Sequence, residues 1–283
     1  MSLPAAAGPL GARNPNVQHL RRLLRRRSAR SDDGVVVVEG VRFVRDALDA
    51  GVAVRAVYVA AEAAARPEVA ALAGAATDAG VALWRLAPGA LEAVATTTTP
   101  QPVLAVVEWR PARLGDVDWA AHDLVLVLDG VADPGNAGTL LRVAEAAGAT
   151  AVVTTAGSVD VTNPKAVRAG AGSLLRLTVA ADADPVAVAA ALREGGLCLA
   201  GTVARAGDDY AAVDWPARVA LVLGSEAHGL GAALEAALDL RVTIPMAGAV
   251  ESLNAAIAGA VVAFEVARRR RPHPDQPPRV PTP

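Results

Sequence analysis

Along this chain, short apolar runs of strand length alternate with longer stripes of helical spacing. Val35–Val38, Ala56–Val59, Ala82–Leu86 and Val103–Glu108 are brief runs rich in branched or small aliphatic residues, as expected of strands covered on both faces. Between them the spacing predicts helices over Asn16–Arg27, near Val41–Ala50, near Pro67–Ala79 and near Pro88–Val94. The first carries Leu20, Leu23 and Leu24 on one face and arginines around the rest. These elements make an α/β domain over residues 13–108, and Trp109–His122, with Pro111 and Gly115, reads as a linker. The pattern then restarts over residues 123–271. Asp123–Leu128, Ala151–Thr154, Leu197–Thr202, Val219–Leu223 and Leu240–Ile244 read as strands, with helices at Ala137–Ala147 and Pro164–Gly172. Asn163 and Pro164 suit the cap and first turn of the second helix. Such alternation implies a mostly parallel sheet with helices on both faces, whose ligands bind at the carboxyl ends of the strands. The Ala/Gly/Pro-rich residues 1–12 and Pro-rich residues 272–283 read as disordered tails.

Composition narrows the setting. Charges break every apolar run well short of a membrane span, and no charged start leads into a long apolar stretch, so neither a membrane partner nor a signal peptide is expected. Cys198 is the only cysteine and lies in an apolar run, where a buried, inert thiol is expected. A disulfide within one chain is excluded, no metal site is expected, and a reducing cytoplasm fits. The net charge of −2 conceals an uneven distribution. Arg13, Arg21, Arg22, Arg25, Arg26, Arg27 and Arg30 fall within residues 13–30 without one acidic residue, leaving −9 on the remainder. That cluster points to a nucleic-acid partner, with Arg21, Arg22, Arg25, Arg26 and Arg27 as phosphate contacts. Lys165, the only lysine, and Arg168 are further candidates. Arg268–Arg271 suits either a polyanion or the negative end of the last helix.

Three segments leave strand ends with polar residues that packing does not require. In the first, Asp129–Arg142, Asn136 precedes Arg142 by six positions, and Arg142 lies among Leu140, Leu141 and Val143. An arginine placed there needs a partner or a task, because an unpaired buried cation is costly. The glycines do not match the dinucleotide fingerprint G-x-G-x-x-G. In the second, Gly224-Ser225-Glu226-Ala227-His228-Gly229 sets an acid between glycines that permit close approach of a ligand. Glu226 suits either an ion pair with Arg142 or a substrate hydroxyl, and His228 suits a surface or supporting position better than a general base. In the third, Ile244–Asn254 places a Pro turn, Gly248, Ser252 and Asn254 at the mouth of a helix, Leu253–Phe264, that is apolar on every side. Ser252 is the expected N-cap.

Asn136-x-Gly138-x-x-x-Arg142, Gly224-Ser225-Glu226-x-x-Gly229 and Ile244-Pro245-Met246-x-Gly248 leading to Glu251-Ser252-Leu253-Asn254 resemble the three ordered motifs of the SpoU/TrmH-type RNA 2′-O-ribose methyltransferases, members of the SPOUT superfamily. Asn16–Leu24, Val38-Glu39-Gly40 and Thr99–Val106 resemble that family's N-terminal, ribosomal-protein-like substrate-binding domain. Asn163–Ser173 is similar to the family's stretch between the first two motifs, with Gly170 where Ser is frequent. The resemblance implies S-adenosylmethionine held by backbone around Thr202, Gly224, Ile244, Met246 and Leu253. It also implies catalytic or binding roles for Asn136, Arg142, Glu226, Ser252 and Asn254, with Glu226 holding Arg142. A deep trefoil knot in the C-terminal domain and a homodimer follow from the resemblance alone.

The implied substrate is RNA, with 23S ribosomal RNA ahead of transfer RNA. A non-catalytic RNA-binding ribosome-assembly factor is a second reading, although such a protein need not keep five polar residues at one site. A doubly wound NAD- or ATP-binding enzyme is a third, and it leaves Ile244–Asn254 without a purpose.

Overall fold

The computed structural model describes residues 8–270 and divides the chain into two compact units. One comprises Met1–Pro111 with Asp160–Arg176, and the other Ala112–Val159 with Leu177–Pro283.

In the first unit the order is α1 (Pro15–Arg25), α2 (Arg27–Asp33), β1 (Val35–Glu39), α3 (Val41–Asp49), β2 (Val54–Ala60), α4 (Pro67–Asp78), β3 (Ala82–Leu86), α5 (Ala90–Val94) and β4 (Val103–Glu108). The four strands pair in the order β1-β4-β2-β3, with β4 antiparallel to both neighbours and β3 parallel to β2. Asn14 caps α1, and Val17, Leu20, Leu23 and Leu24 are its buried face. The helix predicted through Arg27 breaks at Arg26, whose backbone is extended (φ −123°), and α2 begins anew. Leu10, inside the segment expected to be a tail, pairs with β3: its N–H donates to the Arg85 carbonyl at 2.7 Å. Residues 1–7 and 271–283, with the rest of the expected tails, lie outside the described residues.

Helix α7 (Pro164–Ala169) belongs to this unit as well. Arg30, one of the seven clustered arginines, is buried here. Its guanidinium donates to Thr162 Oγ1 at 2.9 Å and to the Leu23 carbonyl at 2.7 Å, and pairs with Asp160 at 2.5 Å. Burial alone would raise the Asp160 pKa, but hydrogen bonds from Thr162 and Arg30 outweigh it and the net shift is downward.

The second unit runs β5 (Leu124–Asp129), α6 (Pro134–Ala146), β6 (Ala151–Thr155), β7 (Thr178–Ala183), α8 (Pro185–Glu194), β8 (Cys198–Thr202), β9 (Asp208–Asp209), β10 (Val219–Gly224), α9 (Ala232–Ala236), β11 (Leu240–Thr243) and α10 (Ala255–Arg270). Among the described residues its sheet is β7-β6-β5-β10-β8-β11-β9, and every pair is parallel. The five strands expected from the sequence are present within one residue or so. β7 went unpredicted because Thr-Val-Ala-Ala-Asp-Ala has neither a long apolar run nor a clean alternation. Trp119, within the stretch read as linker, is buried in this core, and its indole N–H donates to the Leu114 carbonyl at 3.0 Å. Because the pairs are all parallel, the ends of β5, β8, β10 and β11 emerge along one edge.

Candidate active site

Three chain segments leave that edge and meet. From β5 the chain turns at Gly130 (φ 66°), whose N–H is shared by Thr155 Oγ1 (3.2 Å) and Ser158 Oγ (3.0 Å). Asp133 then caps α6 by accepting the Asn136 N–H at 2.9 Å, which sets Asn136 in the first helical turn. From β10 the chain makes a closed turn in which Ser225 and Gly229 exchange N–H and C=O at 2.9 Å in both directions. A Cβ on Gly224 would overlap the carbonyl group of Gly229, so only glycine allows this closure. Glu226 stands on the turn. From β11 the chain runs without regular structure to Asn254, where α10 begins.

Asn254, not Ser252, caps that helix. Its Oδ1 accepts from the N–H groups of Ala256 (2.9 Å) and Ile257 (3.3 Å), and its carbonyl accepts from Ala258 at 2.9 Å. A capping side chain must belong to the residue just before the first helical one, and α10 starts two residues later than a Ser252 cap requires. With Oδ1 taken by helix donors, the amide nitrogen of Asn254 has to face the site. It donates to Asn136 Oδ1 at 3.1 Å and to Glu226 Oε1 at 3.2 Å. Asn136 Nδ2 donates to the same Glu226 oxygen. Each group's role follows from its neighbour, so the cap of α10 settles the orientation of both amides.

The segments leaving β10 and β11, with Thr202, Val203 and Ala204 at the end of β8, line a cavity of about 180 Å³. Thr202, Gly224, Ile244, Met246 and Leu253 all border it, with Ser225, Glu226, Thr243, Glu251 and Ser252 on its polar parts. Among the described residues no group of three or more His, Cys, Asp or Glu is arranged to hold a metal ion.

Arg142 is not part of the network. Glu226 is bonded to the two asparagines, while Arg142 lies exposed on α6. Six residues at about 100° each turn its side chain about 120° away from that of Asn136, and the buried face of α6 is Ala137, Gly138, Leu140, Leu141 and Ala144. The neighbouring leucines suggested burial, but they face the core while Arg142 faces outward.

Residues 123–264 match the SpoU rRNA Methylase family, and residues 14–105 match the MRM3-like substrate binding domain. The chain belongs to the SpoU rRNA Methylase family. It is 31% identical to the Bacillus subtilis 23S rRNA (guanosine(2553)-2′-O)-methyltransferase RlmP over 90% of this chain and 97% of that protein. An AdoMet-bound rRNA methyltransferase from Sinorhizobium meliloti superposes with a TM-score of 0.80 at 28% identity, covering 92% of this chain and 96% of that one. The SpoU methyltransferase AviRb from Streptomyces viridochromogenes, in complex with AdoMet, gives 0.78 at 31% identity, covering 91% and 99%.

Within the substrate-binding region of this SpoU family member, Arg22, Arg25, Arg26 and Arg27 are exposed and Arg21 is half-buried. Lys165 is exposed; Arg168 pairs with Glu39 at 3.1 Å and donates to Thr96 Oγ1 at 3.2 Å. Glu39 also accepts the Gln101 N–H at 2.8 Å, which ties Val38-Glu39-Gly40 to the Thr99–Val106 stretch. At the other end of the chain, Arg268 and Arg269 both bind Glu265 and Arg270 donates to the Asp123 carbonyl at 2.8 Å, so these three serve the helix end; Arg271 lies outside the described residues. Asp129 and Glu251 were not singled out from the sequence. An acid closing the apolar run Leu124–Leu128 was the available signal for Asp129.

Proposed function

We propose that this protein transfers a methyl group from S-adenosylmethionine to a ribose 2′-hydroxyl of 23S ribosomal RNA. The observation that carries this reading is the cavity at the strand ends, bordered by all five positions expected to hold the cofactor and by Glu226, which is itself bonded to Asn136 and Asn254. The lining suits such a ligand: Val203, Ile244, Met246 and Leu253 offer apolar surface for a purine, and Glu226 places negative charge near a cation, while Glu251 is paired with Arg205 at 3.0 Å. When bound, S-adenosylmethionine supplies a methyl group already activated on its sulfonium, so the chain's own task is to orient a hydroxyl and manage its proton.

Glu226 spends Oε1 on the two amides and keeps Oε2 for the ribose hydroxyl, while Asn136 keeps one N–H for the same group. Arg142, a permanent cation that faces outward from α6, is proposed to anchor a neighbouring phosphate of the RNA rather than to accept the proton. Ser252 lies at the cavity edge to orient the substrate. Arg142→Lys keeps the charge but loses the planar fork, and turnover falls at least about tenfold; near-full turnover would remove the bidentate role.

The N-terminal unit is proposed to capture RNA through Arg21, Arg22, Arg25, Arg26 and Arg27, with Lys165 adding a contact. A homodimer is supported by exposed Ile257 and Phe264, seven residues apart on one face of α10. A trefoil knot is supported by the strand order, in which the chain leaves β8 for β9 at the sheet edge, returns inward to β10 between β5 and β8, and leaves again for β11. Among the described residues no helix is long and apolar enough to cross a membrane, and a cytoplasmic site of action goes with an RNA substrate.

Calorimetry with S-adenosylmethionine and mapping of 2′-O-methylation in cells with and without the protein test the whole reading. One 23S nucleotide should lose its methyl group. A change confined to transfer RNA would move the substrate, and no cofactor binding would revive the non-catalytic assembly factor.

A further inference from the structure

We infer that Asp129 is a positioning residue, clamping both ends of the Glu226-bearing loop so that the cofactor cavity and the asparagine–glutamate network exist before any ligand arrives. The inference rests on the methyltransferase reading above and concerns how its site is held.

Asp129 ends β5 and is 6% exposed. Its backbone lies in register with Gly224, the residue from which the loop departs β10. Its side chain reaches the loop's other end: Oδ2 accepts the Gly231 N–H at 2.6 Å, and Gly231 is the residue from which α9 departs. Oδ1 accepts from Thr155 Oγ1 at 2.8 Å, which prevents the carboxylate from turning away. One residue therefore holds the loop at its entrance by strand pairing and at its exit by a hydrogen bond to a carboxylate. The segment between contributes Gly224, Ser225, Glu226 and Gly229 to the cavity. Without the exit bond, the turn closed by Ser225 and Gly229 is free to swing about β10, and Glu226 leaves the two amides that depend on it.

Asp129→Asn keeps the shape while exchanging one acceptor for a donor. Gly231→Pro removes the donor at a φ of −69° that suits proline, and its ring carbon, taking the place of the N–H, displaces the Asp129 carboxylate that stood 2.6 Å from the nitrogen. Hydrogen bonds to charged groups sit at the strong end of the range, so each variant should weaken S-adenosylmethionine binding about tenfold or more. The KM for RNA of the folded enzyme should stay within twofold of wild type. A residue that merely stabilised the fold would lower the melting temperature and the active fraction without changing the cofactor Kd of the folded molecules. In the wild type, the Gly231 amide should exchange slowly with solvent deuterium.

A folded variant with a cofactor Kd within twofold of wild type overturns the inference, as does a fast-exchanging Gly231 amide. Two variants that both fail to fold would overturn it too, making Asp129 a folding residue. Wild type that binds no S-adenosylmethionine would instead sink the methyltransferase reading.

Discussion

The side-chain amide of Asn254 is divided between a helix terminus and the site, Oδ1 on the backbone of α10 and Nδ2 on Glu226 and Asn136. Replacing it separates the two tasks. Asn254→Asp retains an oxygen for the cap, so the unfolding midpoint should stay near wild type, whereas Asn254→Ala should cost about 1 kcal/mol. Both lose methyl transfer. In the aspartate variant a second carboxylate faces Glu226, and like charges at one site raise one of the two pKa values. Lowering the pH restores a proton donor there, so activity of Asn254→Asp relative to wild type should rise as pH falls; an unchanged ratio would mean that the amide donors do not matter. Both motif asparagines stand out in the sequence as candidate site residues, but the choice of Asn254 over Ser252 as cap required the helix start.

At the scale of elements, α10 is anchored by small contacts that its composition hides. A Cβ on Gly259 would come within 2.5 Å of Leu140 Cδ2 and 2.8 Å of Leu223 Cδ1, so glycine lets this helix approach α6 and β10. Helix propensity favours alanine there by about 1 kcal/mol, but forcing a methyl into a packed core costs about 1–3 kcal/mol. Gly259→Ala should therefore lower the denaturant midpoint, and a rise would show that the packing relaxes freely. The last turn of α10 is held by Glu265. Hydrogen bonding from Arg268, joined by Arg269, outweighs the opposing effect of burial and lowers its pKa from 4.5 to about 2. A depressed carboxylate stabilises the fold fully above its unfolded value. That contribution fades as pH falls from about 4.5 toward 2. Glu265→Gln should flatten the pH dependence of unfolding in that window and leave the alkaline side unchanged.

Across the whole molecule, the described cations separate into buried and more exposed ones. Neutralising Arg21, Arg22, Arg25, Arg26 and Arg27 together should weaken binding to unrelated RNA sequences and flatten its salt dependence, by roughly 0.7 per lost phosphate contact. An unchanged slope would place RNA elsewhere. The buried Arg30 stands apart from these, because Asp160 and Thr162, 130 and 132 residues away in the chain, occupy its guanidinium. No local pattern could have told it from its neighbours. Strand runs such as Val35–Glu39 and Leu124–Asp129 were legible because burial on both faces demands uninterrupted apolar residues. The three polar segments were legible because packing has no use for them. By itself, then, the sequence determined the α/β class and marked the three polar segments at strand ends as the candidate site, since these follow from hydrophobic period and residue chemistry. Tertiary structure alone decided that Glu226 bonds Asn136 and Asn254 rather than Arg142, that Arg168 belongs to Glu39, and that residues 160–176 join the N-terminal unit. Those are choices among partners far apart in the chain, and only the packing of distant segments sets which of them come within hydrogen-bonding reach.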